Sequence, residues 1–431
     1  MRAPRERAAM SAPSGSAGSA TTVRPRRLLA VTSFAHFMND GMIFFLPVVS
    51  DLLVVGHHDS TATVTAMLTV FYLCSAGVGV LVGLLADRVG RRGPLIALGI
   101  ATLGVSMFGF DAALTASGAA STALAIAAAV VAGVGSSVYH PLGGSIVQLS
   151  FGDGARGKAL GVNVAFGSLG RALYPALFFV IAGLGLSKAD TALVAGTVAL
   201  VAAAVIAAGL VSGGADGPRR GTRAGATPRV PLRSLLTRSV VALMGISLVR
   251  SLAFIGVVSW IPIYLTSNRH AGVSTMLGVI VTIMYAGGVV GQLVFGLLAD
   301  RFDKRAVLAL DSLGSAGGIA WFLTTSGHGV AATASLCAFG LFTFSGFPLL
   351  LSLVSDYVPR SASATGNALV WGVGATGGQA LGPLVVSVLM GGQVHHLGGA
   401  FGAMAALIAL TVLATPLLGR ATRSNTVQLF G

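Results

Sequence analysis

Four ionisable side chains inside long apolar segments of this sequence are of types that suit ion binding. His36 and Asp40 are four residues apart and share one face of a helix, while Arg171 and Arg250 lie in two other segments. A charge at membrane depth costs about 2.5–3.5 kcal/mol on insertion scales. Guanidinium groups bind carboxylate or phosphonate oxygens bidentately, and imidazole titrates near neutral pH. The set therefore predicts anion binding combined with proton exchange.

These residue types suggest separate tasks. Arg250 and Arg171 would supply positive charge for an anionic or strongly polar substrate. Asp40 would be the proton-coupling carboxylate, assisted by His36 or His140. Protonation of Asp40 would free an arginine for the substrate, and deprotonation would restore the internal pair and expel the substrate. A static Asp–Arg pair that only fixes helix packing is the alternative.

Further residues occur on helix faces that could line a cavity together with His36. Small-molecule sites combine apolar and aromatic walls with a few polar groups. Ordinary helix packing is the alternative for each of these residues. The predicted cavity residues are Asn163, Tyr285, Trp371 and Gln379.

The elements that carry these residues must cross a membrane. The chain of 431 residues is 54% hydrophobic and 9% charged, with a mean hydropathy of +0.86. So few charges cannot cover a soluble surface. Trp260, near the outer end of the seventh apolar segment, is predicted to lie in the membrane interface. Twelve segments have the length of roughly 20 residues that a span requires, at 28–52, 62–86, 93–115, 119–145, 158–184, 189–212, 239–266, 272–299, 306–326, 330–354, 361–391 and 396–419.

The segments form two sets of six. We predict a disordered cytoplasmic tail over 1–27, an N-terminal bundle over 28–212, a linker over 213–238, a C-terminal bundle over 239–419 and a tail over 420–431. The tails, the linker and one set of loops hold 23 of the 27 Lys and Arg residues. Both termini are therefore expected in the cytoplasm, and the net charge of +14 reflects topology, with no nucleic-acid partner.

The two sets share a repeated motif. Gly-Leu-Leu-Ala-Asp-Arg occurs at Gly83–Arg88 and again at Gly296–Arg301, 213 residues later. Parallel repeats in a helical membrane chain are typical of transporters whose site lies between the halves. The first copy continues to Arg92 as Gly-x3-Asp-Arg-x-Gly-Arg-Arg and resembles the signature of the major facilitator superfamily. The resemblance implies an all-α polytopic fold of twelve transmembrane helices in two six-helix bundles.

This signature loop is expected to act as a cytoplasmic gate. A carboxylate there can accept hydrogen bonds from a neighbouring helix N-terminus, and the arginines can pair with acidic groups at other helix ends. Such a latch would hold the cytoplasmic side shut, and an anchor with no moving role is the alternative. The predicted gate residues are Gly83, Asp87, Arg88, Gly90, Arg91 and Arg92 in the first copy, and Asp300, Arg301, Arg305 and the partner Asp356 in the second half.

Two further segments narrow the resemblance. Ala35–Asp40 (AHFMND) and Gly133–Pro141 (GVGSSVYHP) resemble the fosmidomycin resistance branch of the superfamily, and Arg250 falls where that branch has a basic residue. The resemblance implies proton-coupled efflux of a small polar or anionic, antibiotic-like compound. Arg171 replaces a small residue of the branch, which leaves the substrate open.

Other functions are less well supported. The sequence contains no phosphate-binding glycine loop, nucleophile elbow or metal-ligand cluster, so neither an ATP-driven pump nor an enzyme is expected. We expect no cofactor and no metal. The expected partners are a small-molecule substrate, protons and the lipid of the cell membrane, with the chain as a monomer. An importer or exchanger of an organic anion is the nearest alternative, followed by a non-transporting membrane scaffold or sensor.

Overall fold

The computed structural model describes residues 24–89, 91–151, 153–215, 231–359 and 362–420. The regular elements in these ranges are helices, and twelve of them are long and apolar enough to cross a membrane. The predicted all-α fold with twelve membrane helices is confirmed. In chain order they are α1 (Pro25–Gly56), α2 (Thr61–Val89), α3 (Arg92–Thr115), α4 (Gly118–Ser150), α5 (Asp153–Gly183), α6 (Lys188–Gly213), α7 (Arg238–Asn268), α8 (Thr275–Arg301), α9 (Lys304–Thr324), α10 (Val330–Tyr357), α11 (Thr365–Leu389) and α12 (Val394–Leu417).

Local sequence signals explain where helices begin. Pro25 occupies the first turn of α1, where its fixed φ suits a helix and its missing N–H costs nothing. The helix thus starts inside the stretch predicted as a tail. α6 begins with a capping box, in which the Ser187 hydroxyl accepts from the Asp190 amide while the Asp190 carboxylate accepts from the Ser187 amide. Residues 1–23, 216–230 and 421–431, which hold much of the predicted tails and linker, lie outside the described residues.

α1 and α7 end in the same way, which extends the sequence repeat to the backbone. α1 finishes in a π-helical turn over Leu52–Gly56, and α7 does so over Tyr264–Asn268. Shortly after each turn, His58 and His270 have φ angles of 58° and 56°, a region that few residues other than glycine adopt. The two histidines are 212 residues apart. The two halves therefore follow one backbone plan.

α1 and α7 form the centre of the structure. In their most apolar stretches 83% and 67% of residues are buried, against 39–62% in the other ten helices. Trp260 illustrates the consequence, because it is fully buried and its indole N–H donates to the Pro383 carbonyl at 3.3 Å. The prediction that Trp260 lies in the membrane interface was wrong, since α7 runs through the bundle rather than along its rim.

Hydrogen bonds join the two halves at one end of the bundle. We call the end that carries the Lys- and Arg-rich α2–α3 and α8–α9 connections the basic end. At the opposite end, Thr266 of α7 donates to the Asp51 carboxylate of α1 at 2.5 Å, and Thr65 of α2 donates to Ser387 of α11 at 2.8 Å. Toward the basic end, α2 and α11 border a cavity of about 360 Å³. Its lining residues are Ala76, Thr365, Ala368, Leu369, Gly372, Val373 and Thr376.

α11 is irregular beside this cavity. Ala368–Thr376 forms a π-helix between the α-helical segments Ser363–Asn367 and Gly377–Leu389. The Thr376 hydroxyl donates to the carbonyl of Trp371, five residues earlier, at 3.1 Å. π-Helical stretches are rare and frequently occur at functional sites. Most of the cavity lining belongs to this stretch.

Glycines let neighbouring helices approach to backbone contact. In α9, a Cβ on Gly318 would lie 2.7 Å from backbone atoms of Phe339 in α10, whereas a Cβ on Gly317 would meet no atom within 4 Å. Small residues at such crossings allow close helix packing in lipid, where hydrophobic driving force between helices is absent. Gly318 therefore lies in the contact between α9 and α10, whereas Gly317 faces open space.

Alanine substitutions at these two glycines are expected to have opposite effects. Gly318→Ala pushes α9 away from α10 and should lower the free energy of unfolding by about 1–3 kcal/mol. Gly317→Ala should raise it by up to about 1 kcal/mol through helix propensity. Thermal unfolding of the purified protein in detergent measures both. Equal melting temperatures for the two variants would contradict the close α9–α10 contact.

Candidate functional site

Asp40 is the centre of a cluster of charged side chains in the N-terminal half. Its carboxylate pairs with the guanidinium group of Arg171 in α5. The Nε2 atoms of His36 in α1 and His140 in α4 each lie 3.4 Å from one of its oxygens. The Asp40 side chain is 2% exposed, whereas that of His140 is 49% exposed. Predicted residues from three helices therefore meet at one place, and His140 gives the cluster an open side.

Hydrogen bonds around His36 fix its tautomer. Its Nδ1 lies 2.9 Å from the carbonyl oxygen of Asn163, and since a carbonyl only accepts, Nδ1 carries a hydrogen. The Asn163 amide donates to the Tyr139 hydroxyl, which donates to the Thr32 carbonyl, both at 2.9 Å. A proton on Nε2 makes the contact with Asp40 attractive, whereas its absence leaves a lone pair facing a carboxylate. Asn163 is buried in this network, and its predicted substrate contact stays a prediction.

Arg171 lies between the two halves. Its Nη2 donates to the Ser168 hydroxyl at 2.6 Å, and Ser168 donates to Oε1 of Gln292 in α8 at 2.9 Å. The guanidinium carbon lies 5.6 Å from the ring centre of Phe44 and 5.4 Å from that of Phe344 in α10, within the range of cation–π attraction. Arg171 is therefore in contact with α1 and α5 on one side and with α10 on the other.

Arg250 forms a separate ion pair in the C-terminal half. Its guanidinium pairs with Asp311 in α9 and donates to the Ser312 hydroxyl at 2.5 Å. Both side chains of the pair are buried, and Gly346 of α10 leaves the room that the guanidinium occupies. The structure does not bring Arg250 to Asp40. Sequence reasoning missed Asp311, although a carboxylate inside a predicted span was the available signal.

The other predicted cavity residues lie in the C-terminal half. Tyr285 of α8 is buried and packs edge-to-face against Phe44 and Phe344. Its hydroxyl group has no hydrogen-bond partner in the described part of the chain. Trp371 belongs to the π-helical stretch of α11, and Gln379 follows in its α-helical part, each half-buried. Substrate contact by these residues stays a prediction.

The predicted gate residues are placed in part. Four of them lie outside what the structure describes, either wholly or for their side chains: Gly83, Asp87, Arg88 and Gly90. Arg92 begins α3. Exposed side chains at the basic end belong to Arg91, Asp300 and Arg301.

The second copy of the gate is bonded within its own half. Asp356 accepts from the Lys304 ammonium at 2.8 and 3.0 Å. Asp303 accepts from the amide of Arg305 at 2.9 Å and from its Nε at 3.0 Å. The side-chain hydrogen bond from Arg305 lowers the pKa of Asp303 below its ordinary value. A latch between the halves stays a prediction.

His36, Asp40 and His140 also approach the geometry of a metal site, because one ligand atom from each lies within 4.8 Å of the others. Their charges fit a metal poorly. Arg171 already neutralises Asp40, so a divalent ion would leave a net charge of +2 in a buried place, which is costly. The cluster is better suited to protons and anions.

Two repeated helical halves with buried charges at their interface define a transporter-type membrane fold. The family model of the Major Facilitator Superfamily matches residues 29–383 and 269–429, which together span nearly the whole chain. The protein belongs to this superfamily and is a multi-pass membrane protein. The resemblance of the sequence to the superfamily is thereby confirmed.

Relatives of known function match only part of this chain. The human glucose-6-phosphate exchanger SLC37A1 is 31% identical over 140 residues, which are 30% of this chain and 26% of that protein, and the mouse protein matches equally. The chain therefore aligns with about a quarter of the length of these relatives.

Solved structures share the fold at low identity. The nucleoside transporter NupG has a TM-score of 0.74 at 12% identity, with 91% of this chain and 99% of that chain covered. A bacterial homologue of the human lysosomal transporter Spinster, in an inward-facing and unoccupied conformation, has a TM-score of 0.66 at 17% identity, with 91% and 96% covered. Identities this low show the fold alone.

The buried Arg250–Asp311 pair allows a test by double substitution. Asp311→Leu leaves a buried guanidinium unpaired, so the free energy of unfolding should fall by about 3–5 kcal/mol. Adding Arg250→Met removes the second charge and should restore most of the loss. Thermal unfolding of both single variants and the double variant in detergent measures the coupling. Additive losses would contradict the pairing.

Proposed function

We propose that this chain is a proton-coupled secondary transporter of a small polar or anionic compound, which works by alternating access in the cell membrane. The observation that carries the proposal is the position of the Arg171–Asp40 pair, buried between the halves and flanked by His36 and His140. Ionisable groups inside membrane proteins are costly and mark substrate or proton pathways.

The orientation follows from the basic residues. Loops rich in Lys and Arg favour the cytoplasmic side, which supports a cytoplasmic position for the basic end and both termini. The Asp51–Thr266 and Thr65–Ser387 hydrogen bonds join the halves at the other end. On this orientation the structure corresponds to an inward-facing state, with the α2–α11 cavity on the cytoplasmic side. The predicted gate residues that the structure describes, such as Asp300 and Arg301 at the end of α8, lie at the end that must close during alternating access.

Protonation controls Arg171 in the proposed cycle. When Asp40 is ionised, its carboxylate holds the guanidinium group. The half-exposed His140 offers a path for a proton from the open side, and His36 can receive it on Nε2 because its Nδ1–H already donates to a carbonyl. A proton shared with Asp40 weakens the ion pair. Arg171, still stacked on two phenylalanine rings, is then free to bind oxygen anions bidentately.

Two directions of transport are supported by different observations. The sequence resemblance supports efflux of an antibiotic-like compound by proton antiport, in which proton and substrate would compete for the site. The release of Arg171 by protonation supports uptake or exchange of an organic anion, because the proton and the anion then bind together. The segment similar to a glucose-6-phosphate exchanger also favours this second candidate.

Vesicles containing the purified protein and an imposed pH gradient test the function. We expect at least one compound from a panel of phosphonates, organic phosphates and carboxylates to move against its gradient. Flux in the same direction as the protons indicates cotransport, and the opposite direction indicates antiport.

Arg171 provides the control variants for this assay. Arg171→Gln should reduce the flux at least about tenfold, since a charge-assisted bidentate pair is lost, while Arg171→Lys should retain part of it. The proposal would be contradicted if the flux of every compound in the panel were independent of the pH gradient. Full activity of Arg171→Gln would also contradict it.

Asp40→Asn is expected to uncouple transport from protons. A neutral side chain holds Arg171 weakly at every pH, so exchange of labelled for unlabelled substrate should persist while accumulation driven by the pH gradient is lost. The same change at Asp190, which lies in the capping box of α6 and belongs to neither the charged cluster nor the predicted gate, should leave both assays near wild type. Unchanged pH-driven accumulation by Asp40→Asn would remove Asp40 from the coupling role.

A further inference from the structure

A chain of hydrogen bonds leads from the Asp40 carboxylate across the interface between the halves. Arg171 pairs with Asp40 through Nη1 and donates through Nη2 to Ser168, at 2.6 Å. Ser168 donates its only hydroxyl hydrogen to Oε1 of Gln292, at 2.9 Å. Arg171 and Ser168 belong to α5 in the N-terminal half, and Gln292 belongs to α8 in the C-terminal half. Neither Ser168 nor Gln292 is required for the ion pair itself.

The Arg171 guanidinium group links Asp40 to Ser168 in this chain of hydrogen bonds. A bidentate complex with an oxygen anion uses two N–H groups of one guanidinium. If Arg171 turns from Asp40 toward such an anion, Nη1 leaves the carboxylate and the Nη2 hydrogen bond to Ser168 is strained or lost. The Ser168 hydroxyl then loses the donor that orients its hydrogen toward Gln292. The state of Arg171 is therefore transmitted to α8.

The surroundings make this contact sensitive to change. Ser168 is buried and Gln292 is half-buried, and a hydrogen bond in such an environment is costly to leave unmade. The hydrogen bonds Asp51–Thr266 and Thr65–Ser387 join the halves near the opposite end. The Ser168–Gln292 bond lies deeper, at the level of the charged cluster. Its loss would loosen the halves where the proposed substrate binds.

We propose that Gln292 is a positioning residue that, through Ser168, couples the state of the Arg171–Asp40 pair to the separation of α5 and α8. When the pair is intact, the bond holds α5 against α8 in the arrangement of this structure. When Arg171 is released, the bond weakens and the halves rearrange. This inference rests on the proposed function, because it assigns the step that converts proton or substrate binding into movement of the halves.

The test measures the distance between α5 and α8 without needing a substrate. Spin labels are placed at Ala155→Cys and Phe302→Cys, exposed positions at the basic end, in the full chain with Cys74→Ala and Cys337→Ala. The distance between the labels should fall into two populations, one with α5 held against α8 and one with the two helices separated. Asp40→Asn, which mimics release of Arg171, should change the ratio of these populations about two- to tenfold, the range expected for one hydrogen bond. In a Gln292→Leu background the same substitution should cause no further change.

The controls separate this coupling from general damage. Ser168→Ala should behave like Gln292→Leu, and the double variant should equal either single variant, because all three break one chain. Thr282→Val, also in α8, removes a hydroxyl that has no hydrogen-bond partner in the described part of the chain and should leave the Asp40→Asn effect intact. An equal Asp40→Asn effect with and without Gln292, or no effect with Gln292 present, overturns the proposal. Transport in vesicles tests the proposed function separately.

Discussion

An ionisable group inside a bilayer must be paired, and this requirement organises both halves of the protein. In the N-terminal half Asp40 joins α1 to α5 through Arg171 and approaches α4 through His140. In the C-terminal half Arg250 joins α7 to α9 through Asp311. Each charge is expensive alone and tolerable with its partner. Each of the two central helices is therefore tied by one ion pair to another helix of its own bundle, α1 to α5 and α7 to α9.

The two pairs differ in what surrounds them, although the halves share one backbone plan. Arg250 and Asp311 are enclosed by their own bundle, where Ser312 and the space left by Gly346 complete the fit. Arg171 contacts side chains of the other half, and His140 opens its cluster to one side. The enclosed pair suits a structural role, and the interfacial pair suits a role in switching. The two halves thus share one scaffold and differ in their electrostatics.

Most of the architecture was predictable because long apolar segments and the loop charges leave few alternatives for a membrane chain. Asp40, Arg171 and Arg250 were recognisable as ionisable residues in such segments. The pairing of Asp40 with an arginine was expected, but the choice of Arg171 was not. The partner of Arg250 was missed as well, since Asp311 approaches it only through the packing of α7 against α9. The burial of Trp260 was hidden for the same reason, because its position along α7 does not reveal that α7 is central. Ser168 and Gln292 are ordinary polar residues whose contact arises only when α5 meets α8.

The π-helical stretch of α11 has a mechanical consequence. A π-helix holds more residues per turn than an α-helix, so tightening Ala368–Thr376 into regular α-helix would rotate everything after it relative to everything before it. Trp371 and Gln379 lie within and beyond this stretch, so such a change would alter which of them points at the neighbouring helices. Rewinding within α11 would thus change which of its side chains face the α2–α11 cavity without breaking the helix.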